Sequence, residues 1–235
     1  KHIIYFNHGL PFLGYNGFFR ILLMALEKLN CLFADKIITV SEDMKNKFVS
    51  ITRKNVIKIH NGTASGLDLK IRKYDLKVIK RSINAKIGDK IVLFVGRPNK
   101  RKGFFDILNI WNKLYRDKND FKLILLGINK QDIIKKTKII AKNIFPMGIV
   151  KNTEPYFQLA DYLFMTSHHE GLSYSVLEAF MSRTIVISNK IDGVSEIVKH
   201  KYNGFLVEKN NSNKYSEHLN YCEINKKIKK KYLDR

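Results

Sequence analysis

Two glutamates flank a glycine-led helix start in the segment H-H-E-G-L-S-Y-S-V-L-E-A, at positions 170 and 178. Gly171 lets the backbone approach a ligand closely. The N–H groups of Leu172 and Ser173 lie at the positive end of the predicted helix dipole, which suits a diphosphate. Glu178 lies about two turns into the helix, so it and Glu170 reach different parts of one ligand. Glu178 can accept two hydrogen bonds from a vicinal diol such as that of ribose; the alternative is a helix start with an unrelated surface charge.

A second group of candidate residues forms the basic loop G-R-P-N-K-R-K-G, which directly follows the predicted strand Ile91–Val95. Ligands of open α/β sheets bind beyond the carboxyl ends of the strands. Arg97 can bridge phosphate oxygens with two parallel hydrogen bonds, and Lys102 adds a mobile point charge. The loop therefore predicts a phosphate site, with a solvated basic turn as the alternative.

A third candidate is His8, which opens the loop H-G-L-P-F-L-G after another predicted strand. Histidine donates hydrogen bonds to sugar hydroxyls and transfers protons near neutral pH. The alternative is a histidine that only shapes its loop.

These loops need a frame, and residues 90–190 predict one by alternating continuous apolar runs with amphipathic segments. Strands buried on both faces have such continuous runs, so the pattern predicts a parallel α/β sheet covered by helices. The predicted strands are Ile91–Val95, Phe121–Leu126, Ile144–Met147, Tyr162–Thr166 and Thr184–Ser188. The predicted helices are Phe104–Arg116, Lys130–Lys142, Glu154–Ala160 and Ser173–Met181.

The first sixty residues repeat this alternation in shorter form. Their predicted elements are the strands Ile3–Phe6, Lys36–Val40 and Val56–Ile59 and the helices Phe18–Phe33 and Glu42–Ser50. Three strands are few for a doubly wound sheet, so we expect earlier strands to be missing from this part.

We accordingly predict four regions along the chain. Residues 1–61 form the C-terminal part of one doubly wound α/β domain, 62–90 an interdomain link, and 91–209 a second α/β domain. Residues 210–235 are rich in Lys and Asn and are expected to be a truncated tail, either a frayed helix or solvated, without chemistry.

The composition excludes several classes of protein. The chain has 235 residues, 45% of them apolar, 43 Lys+Arg against 21 Asp+Glu, and a formal charge of +22. The apolar fraction excludes a disordered chain, and two distant cysteines exclude a disulfide scaffold and fit the reducing cytoplasm. Walker A, G-x-G-x-x-G, H-E-x-x-H and D-x-D motifs are absent, so we expect neither an ordinary NTPase or dehydrogenase nor a dedicated metal site. The charge alone leaves nucleic acid, anionic lipid and phosphorylated small molecules open as ligands.

Together these segments resemble the retaining, nucleotide-sugar-dependent glycosyltransferases of family 4, whose two facing Rossmann-like domains form the GT-B architecture. The E-x7-E pair of Glu170 and Glu178 follows a G-R-…-K-G loop and precedes the motifs Gly193–Val198 and Asn203–Val207. The loops His8–Gly14 and Asn61–Asp68 look like those of bacterial enzymes that build capsule, O-antigen or related surface glycans on a lipid diphosphate carrier.

The resemblance implies a role for each matching residue. Arg97 and Lys102 would hold the nucleotide diphosphate, and Gly171, Leu172 and Ser173 would cradle it with backbone N–H groups. The residues implied to act on the rest of the ligand are Glu170 on donor-sugar hydroxyls, Glu178 on the ribose, His8 near the donor sugar and acceptor hydroxyl, and Met147 by its backbone near the base.

The resemblance implies transfer of a hexose or N-acetylhexosamine from a nucleotide sugar, expected to be UDP-linked, to a glycan or lipid-diphosphate-linked acceptor, with no cofactor and no metal. Residues 91–209 would then be the nucleotide-sugar-binding Rossmann-like domain. Two alternatives are a non-catalytic partner subunit of similar fold and a basic nucleic-acid-binding protein, which lacks a recognised motif here. The segment Gly17–Phe33 mixes apolar residues with Arg20 and Lys28. It is expected either to lie peripherally on the anionic inner face of the cell membrane or to be a core helix of its domain.

Overall fold

Three short parallel strands begin the fold in the computed structural model, which describes residues 2–59, 67, 72–137, 140–209 and 211–233. Its first elements are β1 (Ile4–Asn7), a 3-10 helix (Pro11–Gly14), α1 (Gly17–Phe33), β2 (Lys36–Thr39), α2 (Glu42–Ile51) and β3 (Val56–Lys58). The strands pair in the order β1-β2-β3. Cys31 of α1 and Phe48 of α2 pack with Ile37 of β2 in one apolar core, which holds both helices against the sheet.

The remaining elements build a larger parallel sheet. In chain order they are α3 (Lys77–Ser82), β4 (Lys90–Val95), α4 (Phe104–Leu114), β5 (Phe121–Leu126), α5 (Lys130–Thr137), β6 (Ile144–Gly148), α6 (Glu154–Leu159), β7 (Tyr162–Met165), α7 (Tyr174–Met181), β8 (Ile185–Asn189), α8 (Asp192–Ser195), β9 (Phe205–Val207), α9 (Asn213–Ile224) and α10 (Lys226–Leu233). The strand order is β6-β5-β4-β7-β8-β9, and every pair is parallel.

The contacts divide the chain into two compact units. The first unit contains Lys1–Asp68 together with two later segments, His169–Tyr174 and Ile191–Ile197. The second unit contains Leu69–His168, Ser175–Lys190 and Val198–Arg235, and therefore the whole six-stranded sheet.

The core of the second unit explains why its strands are apolar throughout. The four central residues of β4 and all four residues of β7 are buried, as expected for strands covered on both faces. Trp111 of α4 and Tyr115, which directly follows the helix, are fully buried, and the indole N–H of Trp111 donates to Asn143 Oδ1 at 3.0 Å. The buried polar group thus has the partner that burial requires.

The predicted fold class is confirmed, and the predicted strands and helices of both halves lie where expected within two residues, with one exception. The helix predicted over Lys130–Lys142 ends at Thr137, and residues 138–139 lie outside the described residues. The strand β9 and the short helices α3 and α8 were not predicted. Each has six residues or fewer, which is too short for a periodic pattern to mark it.

The expectation of a tail after residue 210 is wrong. Helix α9 buries Tyr215, Leu219 and Cys222, which share one helix face by their spacing and join the core of the second unit. The Tyr215 hydroxyl donates to the carbonyl oxygen of Met165, the last residue of β7, at 2.9 Å. The prediction failed because it was based on the high Lys and Asn content of this segment. That content is an average over all residues and does not show that three apolar residues share one face of a helix.

Helix α1 leaves most of its apolar side chains exposed. Phe18 is 74% exposed, Phe19 63% and Ile21 67%, whereas Glu27 and Cys31 are the buried residues of the helix. Within the described part of the chain, no helix combines the length and the hydropathy needed to cross a bilayer.

Candidate functional site

The basic loop after β4 is the first candidate for ligand binding. Arg97 is exposed, and Lys102 is half-buried with its stem over the end of the strand, since a Cβ added at Gly96 would lie 3.1 Å from the Lys102 Cβ. The Asn99 side-chain oxygen accepts the Lys102 N–H at 2.9 Å and closes the loop on itself. Two predicted cations therefore stand at the carboxyl end of β4, where α/β proteins bind ligands.

A close backbone contact joins this loop to the end of β7. Gly103, the residue before α4, has a φ of +70°, and a Cβ built on it would lie 2.0 Å from the carbonyl oxygen of Thr166. The Thr166 hydroxyl donates to the Gly103 carbonyl oxygen at 2.8 Å. Only glycine has both the backbone freedom and the small size for this position. We call this contact the Gly103–Thr166 clamp.

His168 extends the clamp on the far side of the same loop. Its backbone N–H donates to the Arg101 carbonyl oxygen at 2.8 Å, and its Nε2 lies 2.6 Å from Asp106 Oδ2 on α4. His168 lies in the segment that leads to Glu170. Its main chain contacts the basic loop and its side chain contacts the helix that follows this loop.

Glu178 points from α7 toward the loop that follows β6. The Thr153 hydroxyl, at the start of α6, donates to Glu178 Oε1 at 2.8 Å. Burial raises the pKa of Glu178, and the Thr153 hydrogen bond opposes the shift. The carboxylate is therefore held in one orientation and only partly solvated, which leaves it ready to accept hydrogen bonds from a ligand.

Met147 occupies β6, at the edge of the six-stranded sheet. It lines a groove with Ile134 of α5 and Pro146 of its own strand. Ile149, which follows the strand, is 95% exposed. The contact of the Met147 backbone with the base, which the resemblance implies, stays a prediction.

In the first unit a chain of hydrogen bonds orients the loop that carries His8. The Tyr5 hydroxyl donates to the buried Glu27 carboxylate at 2.5 Å and accepts from the Asn7 side-chain amide at 3.0 Å, and the Asn7 side-chain oxygen accepts the Gly9 N–H at 2.9 Å. Burial and Glu27 raise the pKa of Tyr5 to about 12, so the hydroxyl remains a donor over the physiological pH range. His8 itself is exposed and packs edge-on against Phe6, with ring centroids 4.5 Å apart.

The glutamate–glycine segment lies directly on this loop. A Cβ added at Gly171 would lie 2.3 Å from the His8 carbonyl oxygen and 2.9 Å from the Met44 sulfur. A Cβ added at Gly193 would lie 2.0 Å from the Gly171 carbonyl oxygen and 2.7 Å from that of Glu170. Three segments far apart in sequence are thus stacked backbone to backbone, and His8, Glu170 and Gly171 are brought together.

The next two predicted residues fix the start of α7. Leu172 packs against the apolar core of the first unit, and Ser173 is buried immediately before the helix begins at Tyr174. The two residues whose backbone N–H groups are predicted to bind the diphosphate are therefore held by packing of their side chains.

Glu196 is a functional candidate that the sequence did not identify, although its motif was noted. Its carboxylate accepts the backbone N–H groups of Glu42 and Asp43, each at 3.0 Å, and lies 3.3 Å from the Lys58 ammonium. It caps the first turn of α2 from a segment 150 residues later in the chain, which no local pattern can reveal. Thr153, Asp106 and Glu27 were missed for the same reason.

The predicted site residues thus fall into one group in each unit. Arg97, Lys102, Glu178 and Met147 belong to the second unit, and His8, Glu170, Gly171, Leu172 and Ser173 belong to the first. The loop predicted over Asn61–Asp68 lies outside the described residues apart from Leu67. The assignment of a role to each residue stays a prediction.

Sequence comparison now identifies the family. Residues 76–234 match the family described as glycosyl transferases group 1. The chain belongs to this family. The match includes the whole six-stranded sheet, the basic loop and both glutamates of the E-x7-E pair.

Curated relatives of this group 1 chain include bacterial proteins of polysaccharide synthesis. It is 28% identical over 221 residues to an uncharacterized glycosyltransferase of Haemophilus influenzae, which covers 90% of this chain and 57% of the relative. It is 24% identical over 217 residues to the capsular polysaccharide biosynthesis glycosyltransferase CapM of Staphylococcus aureus, covering 88% of this chain and 57% of the relative. The chain therefore spans little more than half the length of these relatives.

Solved structures show the same GT-B fold. The Anabaena protein Alr3699/HepE, crystallised with UDP and glucose, superposes with a TM-score of 0.83 at 18% identity over 99% of this chain and 65% of its own. The lipopolysaccharide glycosyltransferase WaaG superposes with a TM-score of 0.78 at 13% identity over 98% of this chain and 68% of its own.

The backbone stack in the first unit makes a direct prediction for this group 1 chain. Gly171→Ala and Gly193→Ala each place a methyl group against a carbonyl oxygen, so we expect each to lower the free energy of unfolding by about 1–3 kcal/mol. Gly9→Ala and Gly14→Ala are matched controls, because nothing lies within 4 Å of a Cβ at either position. Urea denaturation measures all four; equal losses in the two pairs would show that the stack is not a constraint.

The raised pKa of Glu178 predicts a pH-dependent effect on stability. The folded chain favours the protonated carboxyl, so this group destabilises the fold as the pH rises through the carboxyl range. Glu178→Gln keeps an acceptor for Thr153 and removes the charge, so we expect it to raise the free energy of unfolding at pH 7 and to lose that advantage at about pH 4.

Urea denaturation at the two pH values measures the effect. Glu217→Gln is the control, because Glu217 is exposed and ion-paired with Lys214, and it should give no gain at pH 7. A Glu178→Gln effect that is the same at both pH values would mean that burial of the charge is not its cause.

Proposed function

We propose that this chain carries the donor site of a retaining glycosyltransferase that transfers a hexose or N-acetylhexosamine from a UDP-linked donor. The observation that supports this most is the Gly103–Thr166 clamp, which holds the basic loop after β4 against the end of β7. The clamp holds the end of the basic loop, next to Lys102, against the chain segment that continues toward Glu170.

In the proposed reaction these cations act on the leaving group. Negative charge grows on the nucleoside diphosphate as the bond to the sugar breaks, and fixed donors that face this charge lower the barrier, by about 3 kcal/mol for a well-placed donor. Arg97, Lys102 and the N–H groups of Gly171 to Ser173 would supply this stabilisation. We therefore propose that transfer needs no metal ion.

The carboxylates and the histidine would orient the rest of the donor. Glu178 would accept both ribose hydroxyls, and its partial burial favours the ligand's hydrogen bonds over those of water. Glu170 would accept donor-sugar hydroxyls, His8 would face the sugar and the incoming acceptor, and the backbone at Met147 would contact the base.

The relatives support this choice of donor and pathway. The structure of the Anabaena protein contains UDP and glucose, and CapM of Staphylococcus aureus acts in capsular polysaccharide biosynthesis. We propose, with the support of these likenesses, a cytoplasmic role in making surface polysaccharide, with a glycan or lipid-diphosphate-linked glycan as acceptor. Because the chain spans 57% of its curated relatives, the complete transfer reaction is proposed for the whole protein.

Thermal denaturation with UDP-glucose, UDP-galactose and their N-acetyl forms tests the donor site. A ligand that binds only the folded chain raises its midpoint, and the rise grows with concentration above Kd. We expect one donor to raise the midpoint of the wild type, in EDTA as well as without it, and to have a smaller effect on Glu170→Ala and Arg97→Ala. Arg116→Ala removes an exposed cation just beyond the other end of α4 and should respond like the wild type.

Two results would contradict the proposal. The same shift in all four proteins would mean that the nucleotide binds elsewhere, and a shift that disappears in EDTA and returns with Mn²⁺ would make the site metal-dependent. Hydrolysis of the donor by the whole protein would separate an enzyme from a non-catalytic partner subunit of the same fold.

We further propose that α1 places the protein on the anionic inner face of the membrane. Phe18, Phe19 and Ile21 are each more than 60% exposed, and the cations Arg20 and Lys28 are exposed on the same helix. Apolar side chains that enter the interface together with basic side chains near anionic lipid are typical of peripheral helices, with roughly 1 kcal/mol for each nearby cation.

Flotation with phosphatidylglycerol vesicles tests this contact. We expect the wild type to float, less so in high salt, and the double variant Phe18→Asp/Phe19→Asp to stay at the bottom of the gradient. Val78→Asp is the control, because Val78 is 73% exposed on α3, outside the helix. No flotation of the wild type at either salt concentration would remove the membrane proposal and leave the alternative that α1 is a core helix of its domain.

A further inference from the structure

A cation-rich cavity lies beside β9, which forms the edge of the six-stranded sheet opposite to β6. Its volume is about 380 Å³, and we call it the β9 pocket. Its polar lining residues include Lys190, His200, Lys201, Glu208, Lys214 and His218. No proposed role of the chain uses any of them.

The positive charge of the β9 pocket is only partly neutralised. Lys190 is 2.7 Å from Glu208, and Lys214 forms an ion pair with Glu217 on its own helix. Among the residues that the structure describes, no carboxylate lies within 4 Å of the Lys201 ammonium. One lysine of the pocket is therefore available to a ligand without breaking an ion pair.

Lys201 occupies a backbone position that normally favours glycine. Its φ is +61°, its N–H donates to the Gly204 carbonyl oxygen at 2.8 Å, and its own carbonyl oxygen accepts the Tyr232 hydroxyl at 2.9 Å. A left-handed lysine costs roughly 1 kcal/mol relative to glycine, so the fold retains a cation here against a local penalty.

The two histidines add imidazole groups to the lining of the β9 pocket. His200 Nδ1 accepts the Leu206 N–H at 3.0 Å, so in the neutral ring the proton is on Nε2, which can donate to a ligand. His218 stacks on Phe205 with ring centroids 4.7 Å apart. Burial and the nearby His200, Lys214 and Lys201 lower the pKa of His218 to about 4, while Glu217 opposes the shift.

Two other cavities of the second unit are less basic. The cavity beside His168, of about 240 Å³, is lined by one lysine, Lys209, and by the carboxylate of Asp106. The groove along β6 and α5, of about 600 Å³, is lined mainly by apolar residues with Lys130 and Lys142. The concentration of cationic and imidazole groups is thus a property of the β9 pocket beyond the general basicity of the chain.

We propose that the β9 pocket binds a phosphorylated small molecule as its dianion. The ammonium groups of Lys201 and Lys190 and the Nε2–H of His200 would contact the phosphate, and Leu206 and Val207 would contact the body of the ligand. The volume suits a small molecule rather than a macromolecule. Strands β8 and β9 are two and three positions from β4, or roughly 10–14 Å, so the phosphate would not occupy the proposed donor site.

Titration of the chain with inorganic phosphate at constant ionic strength, followed by NMR of the histidine ring protons, tests this site. We expect saturable shifts of His200 and His218 and a higher pKa of His218 when phosphate is bound, because a nearby anion favours the charged ring. Lys201→Gly should weaken binding about tenfold, as loss of one charge-assisted hydrogen bond does. This variant also relieves the positive φ, so unfolding is not expected.

Arg183→Gly is the matched control. Arg183 has a φ of +56° and is exposed, so this variant also replaces a left-handed cation by glycine, but outside the pocket. It should bind phosphate like the wild type. Equal weakening by the two variants, or shifts that do not saturate, would leave only non-specific attraction to a basic chain and overturn the proposal.

One further variant distinguishes phosphate binding in the β9 pocket from phosphate binding at the proposed donor site. Arg97→Ala should not change the phosphate titration, and UDP-glucose should not compete with phosphate for the β9 pocket. Loss of phosphate binding in Arg97→Ala would assign the phosphate to the donor site and contradict a second site, whatever the outcome for the donor itself.

Discussion

Contacts between backbones, made possible by the lack of a side chain at glycine, hold the functional loops of this chain in place. A Cβ added at Gly103 would lie 2.0 Å from the Thr166 carbonyl oxygen, and a Cβ added at Gly171 would lie 2.3 Å from the His8 carbonyl oxygen. Parallel strands bring their carboxyl ends to one edge of a sheet, and the loops that leave this edge compete for the same space. Glycine allows two loop backbones to pack in direct contact, so the candidate site residues lie on loops that are held in place.

Carboxylates that are buried or half-buried also hold loops and helices in position. Glu27 fixes the loop of His8 through Tyr5 and Asn7, and Glu196 caps α2 from a distant segment. Glu178 is held by Thr153. Glu27 and Glu178 accept hydrogen bonds from neutral hydroxyls, whereas Glu196 accepts two backbone N–H groups and also lies 3.3 Å from the Lys58 ammonium. They orient loops because a partly buried acceptor tolerates few geometries, whereas a surface ion pair tolerates many.

Most of the large sheet followed from continuous apolar runs such as Ile91–Val95 and Leu123–Leu126, since strands covered on both faces are apolar at successive positions. The same reasoning failed after residue 210, where Tyr215, Leu219 and Cys222 are separated by polar residues and their buried face is visible only once α9 is packed. It also missed β9, whose three residues are stabilised by β8 and not by their own pattern. Short elements depend on partners that a local window does not contain.

The sequence by itself determined the class of fold, the family and the residue types available for a sugar nucleotide, because strand periodicity and the E-x7-E and G-R-…-K-G motifs are local properties. Only the tertiary structure decided which of these residues meet. It placed Gly171 on His8 and Thr166 on Gly103. Such contacts join segments tens to more than a hundred residues apart, and their geometry arises from packing of the whole core, which no stretch of sequence specifies alone.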